Sequence, residues 1–444
     1  MESGGGIKKL ARYSIIGWAP FLTFKSKGKY VEIRDEKRIV RKKGNPFEEL
    51  NYVFNRFRMK QKIPADIPFA GGAVGYFGYD LIRFLETLPA MSTDDINLPD
   101  SYFMFFNSGI IYDHWSKKIY IFSIDLSTQN YGDIKRTASD FVSVVEGRIK
   151  DKEKNKYSEK KNLNFGTRAR ITNVVSKREY IDMIEKAKEY IRIGDVYEVN
   201  LSHRIEIESE NEPWQIYRNM NSVNPTPFAA YLQFGNLKVM SASPERFLRL
   251  KDSKLESRPI KGTRKRGESS QEDENFKNDL ISSEKEKAEN LMIVDLVRND
   301  FGRVCKFGTV EVKELMAIEA YSGVFQMVST IEGKVDEDKN IFDCIKACFP
   351  GGSMTGAPKI RAMEIIEELE TIRRGLYSGS LGYLSFSGEA DLNIIIRTMI
   401  ATGGKLYLQV GGAIVADSEP EKEYEETWQK AGPILDSLGC NIKF

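Results

Sequence analysis

The amino-acid sequence predicts an α+β fold built from large antiparallel sheets covered by helices. Two observations predict it. Strand-like runs rich in β-branched and aromatic residues fill the chain up to about residue 130. Beyond them, stretches of helical spacing alternate with further strand-like runs, without a repeat of fixed period.

The early runs lie at 30–33, 72–77, 108–112 and 118–124, separated by Gly, Asp and Lys turns. Residues 148–164, RIKDKEKNKYSEKKNLN, hold almost no apolar side chain, which marks a solvated linker. The expected division is a β-rich segment over 1–147, a linker over 148–165 and a second domain over 166–444. In that domain SKREYIDMIEKAKEYIRIGD sets Tyr180, Ile184, Ala187 and Ile191 on one helical face, with Ser176 as N-cap and Gly194 as the stop. Strands follow over 198–207 and 229–242. Helices over 282–297, 343–347, 357–369 and 420–435 then alternate with strands over 383–386, 392–401 and 405–410.

The 444 residues are 41% hydrophobic and 29% charged, which excludes disordered and fibrous classes. With 66 Lys and Arg against 64 Asp and Glu, the net charge of +2 provides no broad basic field for nucleic acid, so an acidic ligand must be met by local charges. Residues 1–20 contain no apolar signal core and no later run reaches about 20 uncharged apolar residues, so neither export nor membrane insertion is expected. Cys305, Cys344, Cys348 and Cys440 are too few for a disulfide scaffold and lack a zinc spacing; they read as reduced thiols of a cytoplasmic protein. His114 and His203 are the only histidines, and His114 falls in a hairpin turn. Acid and base chemistry is therefore expected of carboxylates, lysine or tyrosine.

Glu286 with Glu289, and Glu423 with Glu426, each stand one helical turn apart, and two such faces brought together make an oxygen-rich site suited to Mg²⁺. Glu364 and Glu367 share the spacing, and most such pairs in so charged a chain are solvated faces, so the spacing alone does not establish a metal site. In SRPIKGTRKRG, Lys261 precedes Gly262 and Thr263, where exposed amides suit an anion and a desolvated lysine would be nucleophilic; Arg264, Lys265 and Arg266 favour instead a basic surface loop. FPGGSMTGAPKIRAMEII reads as a glycine-rich turn feeding a helix that can receive an anion. It lacks a P-loop ending, and GYFGYD is no dinucleotide fingerprint, so ATP and NAD are not indicated.

Taken together, GDVYEVNLSHR, SASPERFLR, RPIKGTRKRG, KEKAENLMIVDLVRND, FPGGSMTGAPKIRAMEIIEELE, RRGLYSGSLGY, NIIIRT and VGGAIVADSEPEKEYEET resemble, in order, the chorismate-utilising enzymes. That family includes anthranilate synthase component I, aminodeoxychorismate synthase component I, and the isochorismate and salicylate synthases. The resemblance runs from LARYSIIGW almost to the C-terminus. It implies a sandwich-like core, chorismate as substrate, and Mg²⁺ held mainly by Glu289 and Glu426 with Glu286 and Glu423 in support. It implies that Tyr377, Arg397 and the amides of Gly262, Thr263, Gly411 and Gly412 bind the substrate's carboxylates, that Glu245 protonates the departing 4-hydroxyl, and that neutral Lys261 is a covalent nucleophile.

Lysine at 261, where the anthranilate branch usually carries a small residue, points to the aminodeoxychorismate branch, and GGSMTGAPK and NPTPFAAYL lean the same way. The implied product is 4-amino-4-deoxychorismate, on the route to para-aminobenzoate and folate. No Gly-x-Cys-x-Gly elbow occurs, so ammonia must come from solution or from a separate glutamine amidotransferase subunit.

Three positions depart from the family pattern. Gln326 stands where a His is usual, Asn290 replaces a common His, and Glu198 replaces a frequent Gln, at the position where isochorismate and salicylate synthases usually have Lys. Gln326 has no titratable proton, and Glu198 reads as a strand-edge residue in preference to a spare carboxylate at the site. Met1-Glu2-Ser3 lines up with an internal Leu-Glu-Ser segment that helps relatives bind tryptophan, so an upstream strand is expected to be absent and a tryptophan-type pocket is left open. Anthranilate synthase component I is the nearest rival reading. A non-catalytic chorismate- or tryptophan-binding relative is the other, although it would have no need of Lys261.

Overall fold

The computed structural model describes residues 1–2, 10–59, 63–64, 67–124, 142–143, 146–147 and 169–439; the expected linker and Cys440 lie outside them. Strands assemble into sheets of twelve, seven and three. In the seven-stranded sheet Glu198–Glu208 pairs antiparallel with Lys405–Ile414 along most of its length. The twelve-stranded sheet runs from Ile260–Lys265 through Ala390–Ile394 and Ser380–Ser385 to Gly72–Phe77 and on to Ile39–Lys43. Strands from either side of residues 148–165 therefore share it, with Gly72–Phe77 paired to Ser380–Ser385.

The two large sheets face each other across Val74, Tyr76 and Phe106 on one side and Leu232, Phe234 and Val239 on the other. Helices Pro46–Asn55, Glu284–Gly302 and Ile341–Cys348 cover the outer face of the larger sheet through Leu50, Phe54, Ile293, Phe301 and Phe342. Helices Pro213–Val223 and Pro420–Asp436 cover the smaller one through Ile216, Trp428 and Leu435. This is the expected α+β sandwich with helical cover. Among the described residues no helix is long and apolar enough to cross a membrane.

Local signals explain most element ends. Ser176 and Glu179 form a capping box at the start of Lys177–Arg192, as the N-cap reading requires. The helix expected over 282–297 is Glu284–Gly302, and a helix not expected, Ser270–Ser282, precedes it, separated by extended Ser283, whose hydroxyl accepts from the Glu286 amide. The run over 229–242 is a hairpin, Phe228–Phe234 and Leu237–Ser243, turned at Gly235 with φ +60°. The run over 392–401 is also two strands. Ala390–Ile394 belongs to the larger sheet and Thr398–Thr402 to the smaller, and the chain crosses between them with Arg397 at φ +51°. Both halves are apolar, so periodicity shows no break.

One buried ion pair ties these layers together. Arg374 donates to both oxygens of Glu370 at 2.6 and 2.9 Å and to the carbonyls of Asn200 and Met354, each at 2.7 Å. Glu370 in turn accepts from the Ser202 amide at 2.8 Å. Replacing Arg374 by Leu strands a buried carboxylate and is expected to lower unfolding free energy by about 3–5 kcal/mol in urea titrations, with Arg374→Leu/Glu370→Leu recovering much of the loss.

Candidate active site

Lys261 is buried on Ile260–Lys265, and its ammonium donates to Glu198 Oε1 at 2.7 Å and lies 3.6 Å from Glu289 Oε2. The lysine belongs to the larger sheet and Glu198 to the smaller, so the pair spans the gap between them. Burial works against the ammonium, but the charges of Glu198, Glu289 and Glu245 outweigh it and raise Lys261 above the ordinary lysine value. The neutral lysine expected from sequence is thus a charged one in the free site, and its proton needs an acceptor.

Glu198 is corrected by the same geometry. It is no strand-edge residue: its exposure is 0%, and its Oε2 is buried without a hydrogen-bond partner. The short strand Gly356–Ala357 covers it, pairing Glu198 with Ala357. Gly356 is needed there because a Cβ would lie 2.0 Å from the Glu198 carbonyl oxygen. This partner is some 160 residues distant in sequence (357 − 198 = 159), so no local pattern could reveal the burial.

Glu245 is buried and accepts from the Ser353 hydroxyl at 2.9 Å and the Ile260 amide at 3.4 Å. Burial pushes its carboxyl up to about 7, against the opposing pull of Ser353, the Ile260 amide and Lys261. An acid poised near neutrality suits proton donation.

Helices Glu284–Gly302 and Pro420–Asp436 bring the four expected carboxylates to this same region. Glu286 accepts from Arg264 at 3.1 Å, Glu423 from the Ser418 hydroxyl at 2.7 Å, and Glu426 pairs with Lys430 at 2.7 Å. Lys285 lies 3.3 Å from Glu423 and 4.0 Å from Glu289. Burial pushes Glu289 up to about 7, opposed by Lys261 and reinforced by Glu198 and Glu286. Glycines open space beside these groups: a Cβ on Gly262 would stand 3.0 Å from Glu286 Oε2, and one on Gly412 would stand 3.5 Å from Glu423 Oε2.

All the candidate donors are hard oxygens, and Glu289 Oε1 is buried without a hydrogen bond, so the set fits a small divalent cation. Among the described residues no three carboxylate, His or Cys groups are drawn together as a preformed cage. Glu367, the decoy pair's second member, accepts from Arg83 and from the Met91 and Ser92 amides and is a structural anchor.

Arg397, the residue expected to meet a substrate carboxylate, lies beside Tyr377. Its guanidinium donates to the Lys430 carbonyl and forms no ion pair among the described residues. Burial pushes it below the ordinary arginine value, with Tyr377 and Glu426 only partly countering. Buried Tyr377 lies close enough to feel that charge. Gly411 and Gly412 sit opposite Ser202 and Leu201, with the Gly411 carbonyl taken by Lys430 at 2.9 Å; Thr263 pairs across the sheet with Gln326.

Residues 11–436 match the family described as chorismate binding enzyme. The chain belongs to the chorismate binding enzyme family. It is 44% identical to anthranilate synthase component 1 of Acetivibrio thermocellus, covering 99% of this chain and 89% of that protein. It is 39% identical to aminodeoxychorismate synthase component 1 of Bacillus subtilis (strain 168), covering 99% and 91%. The crystal structure of anthranilate synthase component I from Streptococcus pneumoniae TIGR4 superposes with a TM-score of 0.81 at 30% identity, covering 96% of this chain and 92% of that one.

As a chorismate binding enzyme the chain has two further features of note. Buried Asn290 accepts from the Ser329 hydroxyl at 2.5 Å, while Gln326 Oε1 is buried without a partner. A cleft is lined by Met1, Glu2, Tyr13, Phe228, Tyr383 and Asp391, among others, with the Glu2 amide donating to the Ala229 carbonyl at 2.8 Å. Ser3 lies outside the described residues.

The Glu245 carboxyl sets a pH dependence. Its folded value, about 7, exceeds the ordinary 4.5, so the folded state holds a proton that the unfolded state has lost between these values, and stability falls as pH rises through that window. Urea unfolding is expected to show about 3 kcal/mol less stability from this group near pH 8 than near pH 4, absent in Glu245→Gln.

Proposed function

We propose that this protein converts chorismate and ammonia to 4-amino-4-deoxychorismate. The observation that carries the reading is Lys261, a buried amine held by Glu198 and flanked by Glu245 and by the carboxylates of two helices. A dianionic substrate needs replacement for the water it loses, and Arg397, with no carboxylate partner among the described residues, meets that need beside Tyr377. Mg²⁺ held by Glu289 and Glu426, with Glu286 and Glu423 beside them, would add positive charge at a substrate carboxylate.

In this reading Lys261 passes a proton to Glu198, its hydrogen-bonded partner, and the free amine bonds to ring carbon 2. Both ring double bonds shift, from carbons 1–2 and 5–6 to carbons 1–6 and 4–5, and the bond at carbon 4 breaks as the hydroxyl leaves as water with the proton of Glu245. Ammonia then bonds to carbon 4 and gives its extra proton to Glu245, both double bonds shift back, and the bond to Lys261 breaks as its amine leaves and recovers its proton from Glu198. The enolpyruvyl ether is untouched, so an aromatic product requires a separate lyase. A glutamine amidotransferase subunit would supply the ammonia, in line with relatives named as component 1 of their synthases. The buried thiols Cys305, Cys344 and Cys348 suit a cytoplasmic setting, and a tryptophan-type pocket, if one forms, would use the cleft beside Met1 and Glu2.

A second reading, anthranilate synthase, is favoured by the name of the 44% identical relative. Products separate the two. Incubation with chorismate, Mg²⁺ and ammonium at alkaline pH, followed by mass spectrometry, is expected to give 4-amino-4-deoxychorismate, reduced roughly a hundredfold or more in Lys261→Ala. Anthranilate and pyruvate, formed without regard to Lys261, would establish the second reading instead.

A further inference from the structure

Each of the four carboxylates has a cation beside it. Arg264 serves Glu286 at 3.1 Å, Lys261 stands 3.6 Å from Glu289, and Lys430 pairs with Glu426 at 2.7 Å. Lys285 differs from these because, among the described residues, it alone touches carboxylates of both helices: Glu289 on its own at 4.0 Å and Glu423 on the other at 3.3 Å. The Glu289 oxygen nearest to it, Oε1, is the one buried without a hydrogen bond, and Glu289 is only 8% exposed. Lys285 also occupies the first turn of Glu284–Gly302, where the helix dipole disfavours a cation. Its side chain is 46% exposed, so a flexible stem can carry the ammonium out to water.

We infer that Lys285 is a tethered counter-cation that holds the facing carboxylates of the two helices while no divalent ion is bound, and that Mg²⁺ enters by displacing its ammonium. Lys285 is thereby a positioning residue that sets the apparent metal affinity. The inference rests on the Mg²⁺ site proposed above. A divalent ion binds carboxylate oxygens directly at about 2.1 Å, and like-charge repulsion opposes an ammonium remaining among the same oxygens. Because the ammonium is tethered, its local concentration is fixed and it competes at every Mg²⁺ level. A dianionic substrate adds negative charge that favours two positive charges over one, so substrate arrival completes the exchange.

The test is calorimetric titration of Mg²⁺, repeated with Mn²⁺ and paramagnetic resonance, into the metal-stripped full chain without substrate. Lys285→Gln is expected to bind either ion about tenfold more tightly than the natural protein, the scale of removing one charge near a partly screened site. Its metal-free melting temperature should fall and be restored by Mg²⁺. Natural-type metal binding together with unchanged or weaker affinity in Lys285→Gln overturns the inference alone. No divalent-ion binding by the natural protein, or binding indifferent to Glu289→Gln, overturns the metal site itself and the inference with it.

Discussion

The contact between Lys261 and Glu198 is the constraint around which the site is arranged. It joins one strand of each large sheet at 2.7 Å, in a region where both residues are buried. Two buried charges of this kind gain little net stability over apolar packing, because their desolvation opposes their attraction. The proposed reaction gives the pair a use. A lysine that attacks carbon has to be kept dry and close to a base, and the gap between two facing sheets provides both conditions.

Around that pair the carboxylates outnumber what Lys261 alone can neutralise. Glu289 and Glu245 are both held near 7, mainly by burial, while Glu426 is held below its ordinary value because Lys430, Lys285 and Lys261 together overcome its own burial. Chemically similar groups within one site are thus divided by environment into proton carriers and a permanent anion. The division follows from the cations each group meets. Glu245 lies in the short link between strands Leu237–Ser243 and Arg246–Lys251, where among the described residues Ser353 and the Ile260 amide hydrogen-bond its side chain, whereas Glu426 stands one helical turn from Lys430.

Much of this was legible beforehand, and the failures share a cause. The helix Lys177–Arg192 could be read from Ser176 and its apolar spacing, and Gly72–Phe77 from its run of β-forming residues, because those signals are local. The clustering of Glu286, Glu289, Glu423 and Glu426 was reached through the resemblance of whole motifs, since Glu364 and Glu367 carry the same spacing and serve only structure. Glu198 was misjudged because its burial depends on Gly356–Ala357 and on Lys261, both far along the chain. Residues 392–401 were read as one strand because both halves are apolar, and only packing determines which sheet each half joins.

That misread break also explains the position of Arg397. A chain leaving one sheet for the other must turn sharply, and the turn falls on a residue with a large side chain at φ +51°, a conformation costing on the order of 1 kcal/mol or more outside glycine. Such a conformation persists because Ala390–Ile394 and Thr398–Thr402 are each locked into a ladder on either side. The same turn leaves the guanidinium enclosed and, among the described residues, without a carboxylate partner, although Glu426 acts on it from nearby. Backbone strain and an uncompensated charge therefore coincide on one residue. In the proposed reaction a substrate carboxylate arriving at this crossing would relieve the second of these.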